Sequence, residues 1–272
     1  MNILITGANG FLSRFILKQI DRNKYEKIIC LIHSEKIFKE NFFLYKNCQI
    51  YKGDISDENF IKEVFESNKI NYVIHTAALK YIDNCEIFQK DCIKTNMLGT
   101  YYICKYCKKY EITNLLTIST DKSINPSSLY GISKLGSEHI TLNNGYSVYQ
   151  GVNFWNSDGS FLQKWKTALR RKKEIILYNI KYIRYFAMPN DIAKEILKLI
   201  DVNNNKINYP EYCYKIKLVD IFNILKEIRP DGNFVIRNND NNFEKYIEEI
   251  NSNIKILNLT KKEIKEKLEC II

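Results

Sequence analysis

Several absences narrow what this chain can be. No run of eighteen or more apolar residues occurs, so no membrane-spanning helix is expected. The opening "MNILITGANG" enters a strand pattern directly, without the basic stretch and cleavage site of a secretory signal. A cytoplasmic protein is therefore expected. Eight cysteines are present, but they lie within apolar patterns and not in a short loop-rich frame, and they read as reduced thiols. Cys104 and Cys107 form a CxxC, yet no second CxxC or paired histidine follows, so no metal site is expected. Internal repeats and low-complexity tracts are also missing.

The formal charge is +10, from 41 basic and 31 acidic residues. Apart from "KTALRRKK" (166–173) and "KKEIKEK" (261–267), the basic residues are scattered. That pattern suits a solvated face that attracts an anionic ligand better than a nucleic-acid surface. A chain of 272 residues can bury a sizeable core, as one large α/β domain or as one domain with a small appendage.

What the sequence does contain is an alternation. The runs "NILIT" (2–6), "KIICLI" (27–32), "CQIYKGD" (48–54), "NYVIHTAA" (71–78) and "NLLTIST" (114–120) read as buried strands. Helical stretches near 11–22, 57–68 and 91–110 separate them. Strands alternating with helices predict a doubly wound parallel sheet of Rossmann type, with a cofactor across the strands' C-terminal ends. The turn Gly7, Asn9, Gly10 and Phe11 follows the first strand and opens a helix, so its backbone can approach a pyrophosphate. The third position of GxxGxxG holds Ser13, small enough to keep helix and strand close. Asp54 and Ile55 follow the third strand, at the adenine, and small Ala77 and Ala78 follow the fourth, where bulk would obstruct the cofactor. After the second strand, Glu35 suits the ribose hydroxyls of NAD, while Ser34, His33 and Lys36 tolerate the extra phosphate of NADP. Both cofactors remain open.

The fifth strand leads into "STDKSINPSSLYGISK" (119–134), which places an acid, two amines and a phenol within sixteen residues. Tyr130 and Lys134 are four apart and share a helix face. A phenol near pKa ~10 is a poor base at neutral pH, but a neighbouring ammonium favours its phenolate, which can take a proton from a substrate hydroxyl.

With "HTAALKYIDNCE", "CIKTNMLGT" and, more weakly, "NSDGSFLQKW", this stretch resembles the extended short-chain dehydrogenases/reductases. Within them it is similar to the inverting UDP-N-acetylglucosamine 4,6-dehydratases of the polysaccharide-biosynthesis dehydratase family. Thr120-Asp121-Lys122 stands where ordinary sugar 4,6-dehydratases carry Thr-Asp-Glu, and only eight residues separate Asp121 from Tyr130. The resemblance implies a role for each matched residue. Tyr130 is the base at carbon 4, Lys134 supports it and holds the nicotinamide ribose, and Thr120 bonds the carbon 4 oxygen. Lys122 removes the carbon 5 proton, and Asp121 donates to the departing hydroxyl of carbon 6. Lys80 and Asn96 line the nicotinamide end or the substrate, and Asn153, Ser160 and Arg184 hold the nucleotide diphosphate. Tightly bound NADP or NAD is recycled in each turnover, on a UDP-sugar, in a homo-oligomer without membrane or nucleic-acid partner. Two departures stand out: Gln150 where relatives have an arginine, and Asp158 in the diphosphate loop.

The expected division is a dinucleotide-binding domain over 1–154 and a substrate subdomain over 155–272, with some segments returning to the first. Stretch 145–155 reads as a sixth strand, 189–200 as a helix capped by Asn190 or Asp191, and 215–228 as a late strand and helix. An epimerase or reductase on the same scaffold, or a catalytically silent dinucleotide-binding regulator, are the competing readings.

Overall fold

Strand β1 (Asn2–Thr6) is buried at every residue, as expected of a strand covered by helices on both faces. It begins a series with β2 (Lys27–Ile32), β3 (Cys48–Lys52), β4 (Tyr72–His75), β5 (Asn114–Thr120), β6 (Ser147–Gly151) and, much later, β10 (Ile207–Asn208). The computed structural model describes residues 1–34, 39–237 and 248–272. Among these the seven strands form one sheet in the order β10-β6-β5-β4-β1-β2-β3, with every pairing parallel. The strand order reverses between β1 and β4, and the crevice at such a point is where doubly wound sheets hold ligands. The protein is thus an α/β chain with a Rossmann-type sheet.

The chain divides into two compact units, 1–151 with 189–209, and 152–188 with 210–272. The first contains the seven-stranded sheet. Its core packs Leu4, Ile29, Val73 and Leu115 of the strands against Ile61, Phe65, Ile103 and Cys107 of the helices Glu58–Glu66 and Gly99–Lys109. The second contains β7 (Asn153–Phe154), β8 (Glu174–Leu177), β9 (Ile183–Ala187), β11 (Tyr212–Lys217), β12 (Asn233–Ile236) and β13 (Lys255–Leu257). These form a four-stranded sheet, β13-β11-β9-β7, and a two-stranded one, β12-β8. Trp155, Trp165, Phe186 and Phe222 make its aromatic core, with Trp165 donating from Nε1 to the carbonyl of Ile176 at 2.9 Å.

Three expectations change. Stretch 145–155 is not one strand: β6 ends at Gly151, Val152 is unpaired, and β7 belongs to the other unit's sheet. Buried Tyr149 and Val152 on one side and buried Trp155 on the other make the stretch read as one strand. The helix predicted over 91–110 is subdivided into Gln89–Ile93, a π-helical turn at Lys94–Leu98, and Gly99–Lys109; a further helix, Ile82–Ile87, precedes them. The helix after β9 starts at Pro189, so Asn190 and Asp191 lie inside its first turn and are not its caps. Proline is suited to a first helical position because that N–H has no intrahelical partner to lose. Cys104 and Cys107 are both fully buried within their helix.

His75 closes β4 with its ring between two hydroxyls, 2.7 Å from Thr6 Oγ1 and 3.0 Å from Thr100 Oγ1. Burial, together with the positive charge of Lys134, lowers its pKa from 6.5 to about 3. Below pH 6.5 the unfolded chain takes up a proton that the folded chain refuses, so stability is lost as pH falls from 6.5 towards 3. The loss expected from this group is about 2 kcal/mol by pH 5, at 1.36 kcal/mol per unit. Urea unfolding of wild type and His75→Gln at pH 6.5 and 5.0 checks this. An equal drop in both proteins would remove His75 as the cause.

Candidate active site

The turn after β1 is built from backbone. Gly7 takes φ +60°, and a Cβ there would lie 2.7 Å from the Cα of Ala77, so only glycine lets the turn pack against the end of β4. Gly10 caps the helix Phe11–Gln19 without any side-chain hydrogen bond, leaving the first-turn N–H groups to an anion. Ser13 is buried, its Oγ 2.6 Å from Thr76 Oγ1, which itself donates to the carbonyl of Thr6 at 2.6 Å. A hydroxyl pair therefore tightens the contact that a third glycine would otherwise allow. Asn9 is buried and donates to the carbonyl of Ser34 at 2.6 Å, joining the turn to the end of β2. The turn fits a dinucleotide pyrophosphate.

Asp54 accepts the amide of Ser56 at 2.8 Å. Ile55 is buried, against Gly99, where a Cβ would meet Ile55 Cδ1 at 2.7 Å. Its side chain thus serves the core. Ala77 and Ala78 are half-buried beyond β4. Glu35 lies outside the described residues.

Thr120 ends β5, and residues 121–123 form a single 3-10 turn. Asp121 and Lys122 form an ion pair, Nζ to Oδ1 at 3.2 Å, with their side chains 2% and 24% exposed. Thr120 Oγ1 donates to the same carboxylate oxygen at 2.8 Å. Tyr130 lies in the first turn of the helix Leu129–Asn143, which Ser128 caps by accepting the amide of Gly131. Burial raises the Tyr130 phenol to about 12, against the pull of Lys122 and a hydrogen bond with the Thr120 side chain. Lys134 Nζ donates to the carbonyl of Ile118 at 2.7 Å. Burial lowers its pKa to about 8, opposed by Glu138 and then Cys92. The cation that draws the phenol down here is Lys122, whereas the sequence pattern assigns that role to Lys134.

Lys80 is exposed, with its ammonium 5.2 Å from the ring centre of Tyr81. Asn96 is 1% exposed. Its amide accepts from Leu79 N at 2.8 Å and donates to Leu79 O at 3.0 Å and Ser133 Oγ at 2.9 Å. It sits in the π-helical turn, a form often found at functional sites, and it clamps the loop after β4 to the Tyr130 helix. Its side chain is a buried clamp.

In the second unit, Arg184 on β9 pairs with Glu248, Nε to Oε1 at 3.3 Å, and lies 4.8 Å over the ring of Tyr182. Asn153 on β7 donates to Glu248 Oε2 at 2.5 Å and to the carbonyl of Tyr185 at 3.0 Å. Two predicted diphosphate residues thus converge on one carboxylate. Glu248 carries no sequence signal, since the pattern after residue 233 reads as plain packing. Ser160 precedes the helix Phe161–Arg170 without capping it. Its buried Oγ and the buried Trp155 Nε1 have no hydrogen-bond partner among the described residues. Asp158 lines a separate open cavity of about 530 Å³ with Lys164, Arg171 and Lys173. Gln150 belongs to the first unit, buried behind the turn at 121–123.

Residues 3–229 match the family described as polysaccharide biosynthesis protein. The chain belongs to this family. It is an extended short-chain dehydrogenase/reductase. It is 29% identical over 244 residues to the UDP-N-acetylglucosamine 4,6-dehydratase (inverting) of Campylobacter jejuni serotype O:23/36, covering 85% of this chain and 71% of that one. It is 28% identical over 207 residues to the uncharacterized membrane protein MJ1061 of Methanocaldococcus jannaschii, covering 72% of this chain but only 62% of that relative. Among solved structures, the dTDP-glucose 4,6-dehydratase DesIV of Streptomyces venezuelae, with NAD and TYD bound, superposes with a TM-score of 0.83. That match covers 99% of this chain and 96% of the other at 14% identity, and it shows the fold. Among the described residues no helix is long and apolar enough to cross a membrane.

In this member of the family, the glycine between Tyr130 and Ile132 sets how near the helix comes to the turn. A Cβ on Gly131 would collide with the backbone carbonyl of Lys122 and stand 2.9 Å from Pro126 Cβ. Helix propensity alone makes Gly→Ala favourable by about 1 kcal/mol. Here overpacking against backbone outweighs it, and Gly131→Ala is expected to destabilise by about 1–3 kcal/mol and to lower activity. Urea unfolding decides the sign; a variant more stable than wild type and equally active would refute the argument.

Proposed function

We propose that this chain is an NAD(P)-dependent nucleotide-sugar 4,6-dehydratase that acts on UDP-N-acetylglucosamine with inversion at carbon 5. The reading rests on one observation: an acid, an amine and a phenol stand together on one turn and the helix behind it. Asp121 is ion-paired to Lys122, and Gly131, next to Tyr130, packs directly on the Lys122 carbonyl. An epimerase or reductase needs Tyr130 and Lys134 but has no use for the Asp121–Lys122 pair.

The residues after β1, β3 and β4 that fit the cofactor are Gly7, Gly10, Asp54, Ala77 and Ala78, and Lys134 is the candidate for its ribose. A nicotinamide held there would accept the hydride from carbon 4 and return it to carbon 6, and a solvent-exchanged proton added to the opposite face of carbon 5 balances that return and gives the inversion. The Tyr130 oxygen takes the proton of the carbon 4 hydroxyl while the Thr120 hydroxyl holds that oxygen. The resulting ketone acidifies the carbon 5 proton, which the Lys122 amine removes. Protonated Asp121 gives its proton to the carbon 6 hydroxyl as water leaves. The ion pair already contains the proton for this division of labour. Moving it from Nζ to the carboxylate turns Asp⁻–Lys⁺ into a neutral acid and a neutral base, the form that burial of Asp121 favours.

Asn153, Ser160, Arg184 and the indole N–H of Trp155 are the candidates for the nucleotide diphosphate, where a guanidinium suits paired phosphate oxygens. The product suits a deoxyamino sugar, such as pseudaminic acid, for surface glycans. Incubation with UDP-N-acetylglucosamine in heavy water, followed by NMR of the sugar, tests the proposal. Deuterium at carbon 5 with loss of oxygen from carbon 6 is expected. Inversion at carbon 4 alone would indicate an epimerase, and an unchanged sugar would indicate a silent binder.

A further inference from the structure

Glu138 lies eight residues after Tyr130 and four after Lys134, on the same face of the helix Leu129–Asn143. Its side chain is 2% exposed. A single oxygen, Oε1, receives three donors: Ser119 Oγ at 2.5 Å, Ser123 Oγ at 2.6 Å and Gln150 Nε2 at 3.0 Å. Gln150 Nε2 also donates to Ser123 Oγ at 2.9 Å. Ser123 Oγ in turn is 2.6 Å from the carbonyl of Thr120. The two serines flank residues 120–122 on either side. One carboxylate oxygen therefore ties both ends of the Thr120-Asp121-Lys122 segment to the helix that carries Tyr130 and Lys134, with β6 joined in through Gln150.

We propose that Glu138 is a positioning residue, holding the Thr120-Asp121-Lys122 turn in register with Tyr130 through Ser119, Ser123 and Gln150. Ser119 and Gln150 each give Oε1 a proton, and the one Ser123 proton is shared between Oε1 and the Thr120 carbonyl; a buried polar network of this kind specifies one arrangement. A misplacement of 1 Å at a reacting group can lower a rate by about 10²-fold, so a hub of this kind matters out of proportion to its distance from the chemistry. The network also engages Gln150, whose amide completes the hub from β6. The kinetic part of the inference rests on the dehydratase reading; the geometric part does not.

The test uses the full chain with bound cofactor, in Glu138→Gln, Glu138→Ala and the double variant Ser119→Ala/Ser123→Ala. Gln keeps an oxygen that can accept from the same donors, and Ala does not. Hydrogen exchange followed by mass spectrometry is read in the segment 119–124, with strand 27–32 as the comparison. The expected result is exchange at least ten-fold faster in 119–124 for Glu138→Ala and for the serine pair, unchanged exchange in 27–32, and near wild-type exchange for Glu138→Gln. Turnover should follow the same order, with kcat of Glu138→Ala down about 10–100-fold and KM within about three-fold. If Glu138→Ala does not fold, the serine pair carries the test. Wild-type exchange in 119–124 for the serine pair, or equal acceleration in both segments, would overturn the proposal. If wild type shows no dehydration, the dehydratase reading fails alone, and the exchange pattern still decides the role of Glu138.

Discussion

Tyr130→Phe is expected to lower turnover by about 10²–10⁴-fold, the range of a positioned general base, while fold and cofactor binding persist. The change removes one oxygen and keeps the ring. In the free protein burial holds the phenol up at about 12, and the charge of Lys122 and the Thr120 hydroxyl are the groups that oppose it. The ionisable groups that follow on the same helix face are engaged elsewhere, Lys134 with the carbonyl of Ile118 and Glu138 with its serines. Turnover by NMR, together with the urea midpoint, separates chemistry from folding. A variant within a few-fold of wild type would show that Tyr130 is not the base.

Lys122→Ala is the second large effect, and it divides the reaction in two. If this amine removes the carbon 5 proton, deuterium exchange there should fall by about 10³-fold or more while oxidation at carbon 4 continues. That oxidation should also slow, because Lys122 is the cation lowering the Tyr130 phenol. Lys122→Gln is the companion variant, since its amide can still donate towards Asp121 Oδ1, the present partner at 3.2 Å. Both variants should lose carbon 5 exchange, and Gln should keep the greater stability. Single-turnover absorbance reports the first half, and mass spectrometry of the sugar in heavy water reports the second. Full deuterium incorporation in Lys122→Ala would exclude it as the base.

Much of the first unit was legible in the sequence because its signals are local. An apolar run flanked by glycine gives β1 and its turn, and four-residue spacing gives Tyr130 and Lys134. The interruptions were not legible. The π-helical turn around Asn96 leaves composition unchanged, so nothing in "KTN" foretells that the amide clamps Leu79 and Ser133. The break at Val152 is invisible because buried Tyr149 and Trp155 stand on either side of it, each in its own unit. Glu138 and Glu248 escaped for a different reason. Their roles depend on partners far off in sequence, 12 to 19 residues from Glu138 and 95 from Glu248 to Asn153, and no period in the chain encodes such pairings.

The first unit is interrupted in sequence, and this sets an order of events when the chain is made. All of the residues around Tyr130 have been synthesised once residue 151 is added, but the sheet is not yet finished. Its edge strand, Ile207–Asn208, pairs with β6 only after the first segment of the second unit has been made. The helix Pro189–Leu199 arrives in the same late piece, and the contacts Gln19–Asn190 and Lys24–Asp201 bridge 171 and 177 residues. Loops of that span are closed slowly, since their entropy is lost before the contacts form. Until then β6 presents an open edge, the kind of surface on which nascent chains associate wrongly. A fragment ending at residue 151 would carry the whole turn-and-helix constellation and still lack what closes its sheet.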